Sequence, residues 1–141
     1  RVMSDVAITA AALGRPLEEL SAARYNRTGQ TTTDPRGQFN MPLDVGVYDL
    51  FIKPPAESNF PWDVSPLVVS ASEPSYSDVY QVSAPLAVAG TLRDLDGILP
   101  GAEIRAFAVV TEADGSERTV AVGRTVVDEA GEFTLLLPPR L

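Results

Sequence analysis

Four aromatic side chains are the part of this sequence best suited to binding a ligand: Phe60, Trp62, Tyr76 and Tyr80. Phe60 and Trp62 flank Pro61 in a stretch that also contains Ser and Asn, which predicts a loop. Aromatic rings are favoured at interfaces, so these residues could stack against sugar rings or a proline-rich peptide. The simpler interpretation, which we prefer, is that Trp62 packs back onto the protein.

A second candidate site is the sequence Asp94-Leu95-Asp96-Gly97. It imitates the start of a calcium-binding loop, in which carboxylates alternate with other residues before a glycine. The third acid of such a loop and its distal Glu are missing, and calcium needs roughly six or more oxygen ligands. Asp96 followed by Gly97 is instead typical of a tight turn. We therefore expect a hairpin turn here, without a metal.

The residue types on which many enzymes depend are missing from the sequence. It contains neither His nor Cys, which excludes Ser-His-Asp and Cys-His catalysis, zinc sites built from these residues, and disulfide bonds. Glu18 and Glu19 are adjacent and would point to different faces of a helix, so they do not form a pair of catalytic carboxylates. We expect no enzymatic activity, no catalytic residues and no cofactor.

Composition and charge favour a soluble, folded chain. The 141 residues carry a net charge of −8, which argues against a nucleic-acid or anionic-membrane partner. No run approaches the roughly 20 apolar residues of a membrane helix, so we expect no membrane insertion. Hydrophobic residues make up 45%, which is ordinary for one globular domain or two small ones. Because the sequence begins with Arg1, we expect a fragment or a processed form.

An internal repeat determines the architecture that we expect. Aligning Asp34 with Asp128 also superposes Gly37 on Gly131. In such an Asp-x-x-Gly turn, the carboxylate can accept a hydrogen bond from the backbone N–H two residues later, and the glycine tolerates a positive φ. We therefore assign structural turn roles to these four residues and to the Asp96-Gly97 pair. Two further pairs coincide in the alignment: Phe39 with Phe133, and Leu43 with Leu137.

Short alternating runs between turn residues predict an all-β protein. One short helix, over residues 16–24, is expected in a loop because Pro16 precedes acidic residues and Arg24 lies near its end. The expected strands cover residues 2–12, 29–33, 38–43, 45–52, 67–70, 79–83, 86–93, 99–110, 117–127 and 132–137. Strands of this length and spacing fit β-sandwiches.

The second copy of the repeat resembles a known bacterial module. Its two halves read Val88-x-Gly90-x-Leu92-x-Asp94-x-Asp96-Gly97-x-Leu99-Pro100-Gly101-Ala102-x-Ile104 and Thr125-x-x-Asp128-x-x-Gly131-x-Phe133-x-Leu135-x-Leu137-Pro138. This pattern resembles the carboxypeptidase regulatory-like domains, which belong with the transthyretin-like (prealbumin-like) and Cna-B-type β-sandwiches. The first copy is similar to the second half, with Thr33-Asp34-x-x-Gly37-x-Phe39 and then Gly46-x-Tyr48-x-Leu50.

The resemblance implies two tandem Ig-like or transthyretin-like sandwich units, 1–83 and 84–141, joined near Ala84-Pro85. The first unit lacks the opening strand of the family, and the second lacks the closing strands. Such modules are appended to many proteins, so the fold alone does not assign a function. The family implies a non-catalytic spacer, surface or adhesion module outside the cytoplasm.

We therefore expect a structural, adhesion or spacer module of a larger bacterial secreted or cell-surface protein. A sandwich that lacks strands leaves unpaired edges, and such edges recruit strands. The expected partners are other protein domains or subunits that supply these strands. Two alternatives stay open: a module that binds polysaccharide through its loop aromatics, and an accessory domain of an extracellular enzyme such as a peptidase.

Overall fold

Eight β-strands and one 3₁₀ turn, Ala56–Ser58, make up the regular structure of the described residues. The structure is a computed structural model that describes residues 2–13, 28–72 and 77–140. The all-β prediction is thus confirmed. The strands are β1 (Ala7–Ala12), β2 (Gly29–Thr32), β3 (Gly46–Lys53), β4 (Asp63–Val69), β5 (Leu86–Thr91), β6 (Glu103–Thr111), β7 (Glu117–Val126) and β8 (Glu132–Leu137).

The chain divides into two compact units. The first consists of Arg1–Ser58 and Asp63–Gln81, and the second of Asn59–Trp62 and Val82–Leu141. The short loop segment that contains Phe60 and Trp62 therefore groups with the second unit.

The first unit contains a four-stranded antiparallel sheet in the order β2-β1-β3-β4. Strand side chains alternate between the two faces, so Tyr48, Leu50 and Ile52 share one face of β3, and all three are buried. Ile8 and Ala10 of β1 lie opposite Ile52 and Leu50 and are also buried. These five side chains form the centre of the buried core on this face of the sheet.

Both edges of this sheet are poor templates for a further strand. β2 is only four residues long. β4 contains Pro66, which lies opposite Asp49 and has no backbone N–H to donate. Short edge strands and edge prolines are common protections against unwanted pairing.

The second unit contains two two-stranded antiparallel sheets, β5-β8 and β6-β7. β6 and β7 form a hairpin, whose turn is closed by hydrogen bonds of 2.8 Å from the Glu112 N–H to the Ser116 carbonyl and 2.9 Å from the Gly115 N–H to the Glu112 carbonyl. Apart from Pro61 in the segment Asn59–Trp62, the buried apolar side chains described for this unit come from β7, β8 and the segment between them: Val120, Val122, Val127 and Leu135.

Two predicted strands are absent. Residues 38–43 form no ladder. The side chains of Met41 and Leu43 lie against Gly29 of β2: a Cβ added to Gly29 would lie 2.5 Å from the Met41 sulfur and 2.7 Å from Leu43 Cδ2. Residues 79–83 also form no ladder. Val79 is 90% exposed, and Tyr80 and Val82 are only half-buried, so neither set of alternate residues in this run is fully buried.

Several predicted boundaries were wrong or fall outside the described residues. β4 begins at Asp63 rather than at residue 67, and β6 begins at Glu103 rather than at residue 99. Gly101 has a φ of 78°, a turn conformation that delays the start of β6. The predicted helix over residues 16–24 and Tyr76 lie outside the described residues. Among the residues that are described, no helix is long and apolar enough to cross a bilayer.

Candidate functional site

The two Asp-x-x-Gly turns have the same hydrogen bonds. In the first, the Asp34 N–H donates to the Gln38 carbonyl at 2.8 Å, and the Gly37 N–H donates to the Asp34 carbonyl at 2.8 Å. The Oδ1 atom of Asp34 accepts from the N–H groups of Arg36 at 2.8 Å and Gln38 at 2.9 Å. Gly37 has a φ of 72°, which few residues other than glycine adopt without strain.

The second turn repeats each of these features. The Asp128 N–H donates to the Glu132 carbonyl at 2.9 Å, and the Gly131 N–H donates to the Asp128 carbonyl at 3.0 Å. The Oδ1 atom of Asp128 accepts from the N–H groups of Ala130 at 2.9 Å and Glu132 at 2.8 Å. Gly131 has a φ of 79°. The repeat seen in the sequence is therefore also a repeat of local structure.

The equivalence extends to the strand that lies beside each turn. In the first unit, the Thr33 N–H donates to the Val6 carbonyl at 3.0 Å, and the Asp5 N–H donates to the Thr33 carbonyl at 3.0 Å. Asp5 has a positive φ of 59°. β1 starts directly after these residues.

The second unit has the same bonds in the same places. The Val127 N–H donates to the Ala102 carbonyl at 2.9 Å, and the Gly101 N–H donates to the Val127 carbonyl at 2.8 Å. Gly101 also has a positive φ, and β6 starts directly after Ala102. β6 is thus the structural counterpart of β1, and the end of β7 is the counterpart of β2.

The two counterparts differ in what lies along their second edge. β1 pairs with β2 on one side and with β3 on the other. Within the described ranges, β6 pairs only with β7. The edge of β6 that faces away from β7 corresponds to the edge of β1 that β3 covers. This open edge of β6 is the candidate functional site.

The outward face of the hairpin beside this edge is apolar at its centre. Phe107 and Val109 are each 60% exposed, although they lie on a regular strand. Their partners across the hairpin are Ala121 and Thr119. Exposed apolar residues that form a contiguous patch commonly mark interaction sites.

A bulge keeps this face continuous. The register shifts between Ala106, which lies opposite Gly123, and Phe107, which lies opposite Ala121, so Val122 is the extra residue. Val122 and Gly123 are both buried. The bulge therefore turns two consecutive residues of β7 inward, and the exposed positions continue on the same face on both sides of it.

Charged side chains lie at one end of the strand only. Glu103 forms ion pairs with Arg105 on its own strand and with Arg124 of β7, the latter at 2.5 Å. The next six residues of β6, Ala106 to Thr111, contain no charge, no Pro and no Gly. Charges and prolines are the residues with which natural proteins protect strand edges, and six-residue segments without them are those most prone to pair with another strand.

The other sheet of this unit also has an open side. β5 pairs only with β8 among the described residues, and Leu86 and Val88 of β5 are exposed. β5 contains Gly90, however, and the Phe133 ring lies over it: a Cβ at Gly90 would approach the ring to 2.9 Å. A glycine inside a strand weakens its pairing. β5 is therefore a poorer template than β6.

Three of the four aromatic residues predicted for a site are described, and they belong to two different units. Phe60 and Trp62 are half-buried, and Pro61 between them is fully buried, in the segment that belongs to the second unit. Tyr80 belongs to the first unit, where its ring centroid lies 6.2 Å from that of Phe39. Tyr76 lies outside the described residues.

The Asp94–Gly97 segment is a turn. The Asp94 Oδ1 atom accepts from the N–H groups of Asp96 at 2.8 Å and Gly97 at 2.9 Å, and the Asp94 N–H donates to the Gly97 carbonyl at 2.9 Å. Gly97 has a φ of 143°. In the part of the chain that the structure describes, no group of three or more acidic residues is placed to hold a metal ion.

Sequence reasoning identified the strand that became β6 but did not single out Phe107 or Val109. Their alternation with Ala106 and Ala108 shows that they share a face, but alternation does not tell which face another element covers. The detectable signal was the uncharged run Ala106 to Thr111 at the end of this strand.

Comparison with protein-family models, with curated proteins and with solved structures finds no match to this chain.

Proposed function

We propose that the protein is a non-enzymatic structural or adhesion module of a larger bacterial secreted or cell-surface protein, and that it acts through assembly with other protein chains. The observation that carries this proposal is the open edge of β6 with its exposed apolar residues, Phe107 and Val109. The burial of such residues is the main favourable term in protein association. A hydrogen-bonding strand edge beside them adds backbone bonds to that term.

The contrast with the first unit supports the same function. There, β2 is short and β4 carries Pro66, so both edges of the sheet are protected. The nine-residue β6 has neither protection over its last six residues. An edge without protection is a template for pairing with another strand, so this difference favours assembly at β6.

The test places a photo-crosslinking amino acid, p-benzoylphenylalanine, at Val109 in the cells that produce the protein. The matched control places it at Val68, an exposed valine on the edge strand β4. We expect Val109 to give a cross-link to a discrete protein and Val68 to give none. The same products from both positions, or none from Val109, would remove the basis of the proposal.

A thermal-shift experiment separates this function from polysaccharide binding. A ligand at about 100 times its dissociation constant adds about 2.7 kcal/mol of stability, which raises the melting temperature by several degrees. We expect no such shift with a panel of polysaccharides. A shift that Trp62→Ala abolishes would instead favour a carbohydrate-binding module.

A further inference from the structure

We propose that residues 77–85 form a proteolytic cleavage site for an endopeptidase that prefers small aliphatic side chains. The segment crosses the boundary between the two compact units: the first unit ends at Gln81, and the second resumes at Val82. This site is independent of the assembly function, because it uses no part of β6.

The backbone of this segment is available to a protease. Residues 77–85 belong to no strand or helix. The Val79 N–H donates to the side chain of its neighbour Asp78 at 2.7 Å, a local bond that ties Val79 to no distant part of the chain. A protease binds its substrate as an extended chain through main-chain hydrogen bonds, as a sheet edge binds an added strand. Backbone that is already paired in a ladder must first open, and this opening costs free energy.

The side chains of the segment are mostly accessible to solvent. Val79 is 90% exposed, and Ser83 and Ala84 are exposed as well. Exposed segments with small and polar residues are the preferred sites of proteolytic nicking. Tyr80 is an exception, since it is half-buried and its ring centroid lies 6.2 Å from that of Phe39. Val79 is therefore the residue best placed to enter the specificity pocket of a protease.

The sequence restricts the class of protease. No Lys or Arg occurs between Lys53 and Arg93, so a trypsin-like protease, whose pocket selects a basic side chain, has no cleavage point in the segment. The aromatic residue that a chymotrypsin-like protease would select, Tyr80, contacts Phe39. A small pocket like that of elastase accepts Val79. Hydrolysis of the bond between Val79 and Tyr80 consumes one water and leaves a carboxylate on Val79 and an amino group on Tyr80.

Two other valines serve as internal controls. Val68 is 55% exposed and lies on β4 opposite Val47. Val126 is 52% exposed and lies on β7 opposite Glu103. Both have the same side chain as Val79 and are more than half exposed. They differ from Val79 because their backbone is paired in a ladder, so a comparison of the three valines isolates the effect of pairing.

A cut after Val79 leaves the second unit made of two separate pieces of chain. This unit consists of Asn59–Trp62 and Val82–Leu141, and the first of these segments stays on the N-terminal product. Pro61 within that segment is fully buried. Because exposing a buried apolar side chain to water is unfavourable, we expect the two products to stay together in native buffer and to separate in denaturant.

The first experiment treats the whole, unaltered chain with a low concentration of pancreatic elastase and follows the products over time by mass spectrometry. We expect hydrolysis after Val79 to be at least about tenfold faster than after Val68 or Val126, because ladder residues are cut only when they open locally. Size-exclusion chromatography of the cut protein, with and without urea, shows whether the two products stay together.

The second experiment changes the side chain at the same bond. Val79→Lys replaces an exposed residue and creates a cleavage point for trypsin in a stretch that has none. Val68→Lys is the matched control, since it places the same residue at an exposed position of β4. We expect trypsin to cut after position 79 at least about tenfold faster than after position 68, and elastase to lose its cut after position 79.

The outcomes distinguish the cleavage site from the assembly function. Equal elastase rates at Val79 and at the two ladder valines, or equal trypsin rates in the two Lys variants, would overturn the cleavage site. Products that separate in native buffer would overturn the expected two-piece unit. The elastase experiment uses the unaltered chain, so it stands even if Val68→Lys does not fold. The cross-link from Val109 tests the assembly function independently of all these results.

Discussion

β1 and β6 start beside equivalent turns and with equivalent hydrogen bonds, yet among the described residues only β1 is paired on both edges. Ile8 of β1 is 2% exposed, whereas its counterpart Ile104 is only half-buried. The short-range structure is therefore set by the Asp-x-x-Gly motif, and the depth of the core is set by whether a further strand pairs beside it. The same turn motif can therefore lie beside a strand that is paired on both edges or beside a strand that is paired on one edge.

The largest expected difference between the two strands comes from their isoleucines. Ile8→Ala should cost about 3–4 kcal/mol, because it leaves a cavity in a closed core. Ile104→Ala should cost about 1–2 kcal/mol, because its site is already partly hydrated. Native-state hydrogen exchange of β1 and β6 measures the two losses separately. Equal losses would show that β6 is as well covered as β1.

The glycines of the two Asp-x-x-Gly turns, Gly37 and Gly131, allow a second comparison of stability between the units. Gly131→Ala should cost about 2–3 kcal/mol, since it strains a positive φ and places a Cβ 2.9 Å from the Ile98 Cβ. At Gly37 the nearest atom, the Val2 Cβ, is 3.2 Å away, so we expect about 1–2 kcal/mol.

Gly115→Ala is the control for backbone strain alone. Its φ is 82°, and no atom lies within 4 Å of the added Cβ, so about 1 kcal/mol is expected. Chemical denaturation of the three variants should rank them in this order. A cost at Gly131 no larger than at Gly115 would show that the contact with Ile98 does not constrain the turn.

Thr33 and Val127 occupy equivalent positions directly before their turns, but only Thr33 has a side chain that can form hydrogen bonds. The Thr33 hydroxyl donates to the Met3 carbonyl at 2.8 Å and accepts from the Val6 N–H at 3.0 Å. Thr33→Val should cost about 2 kcal/mol, because it leaves that buried N–H without its acceptor. Thr32→Val, at an exposed neighbour, should change stability by less than about 0.5 kcal/mol. Similar results for the two threonines in thermal unfolding would contradict this role.

The turn aspartates should give the smallest and most similar effects. Asp34→Ala and Asp128→Ala each remove an exposed acceptor of two backbone hydrogen bonds, which should cost about 1 kcal/mol. Asn keeps the Oδ1 acceptor and should retain most of that stability. Urea unfolding of the four variants checks both statements, and a loss with Asn as large as with Ala would show that charge rather than geometry matters.

The parts of the fold that depend on local sequence were predicted well. β8 begins and ends at the predicted residues, and the turns at Asp34 and Asp128 follow from short-range rules. The segment after the first turn, 38–43, has the same pattern as β8 but forms no strand, because β8 has β5 beside it and the described residues of the first unit provide no counterpart. Pairing depends on residues far away in the chain, which a local pattern does not contain.

The candidate site was the least predictable part. Phe107 and Val109 alternate like core residues, and only their exposure in the folded chain, 60% for each, shows that they face outward. Phe60 and Trp62, which their residue types favoured, are half-buried. The finer expectation of two tandem transthyretin-like sandwiches stays a prediction.

The most direct test of the open edge is amide hydrogen exchange of single residues, followed by NMR on the monomeric chain. The N–H groups of Thr9 and Arg105 occupy corresponding positions, and within the described ranges only that of Thr9 has a strand, β3, to receive it. The account predicts strong protection at Thr9 and exchange at nearly the rate of an open loop at Arg105. Protection at Arg105 equal to that at Thr9 would mean that the edge of β6 is already covered, and would contradict the account.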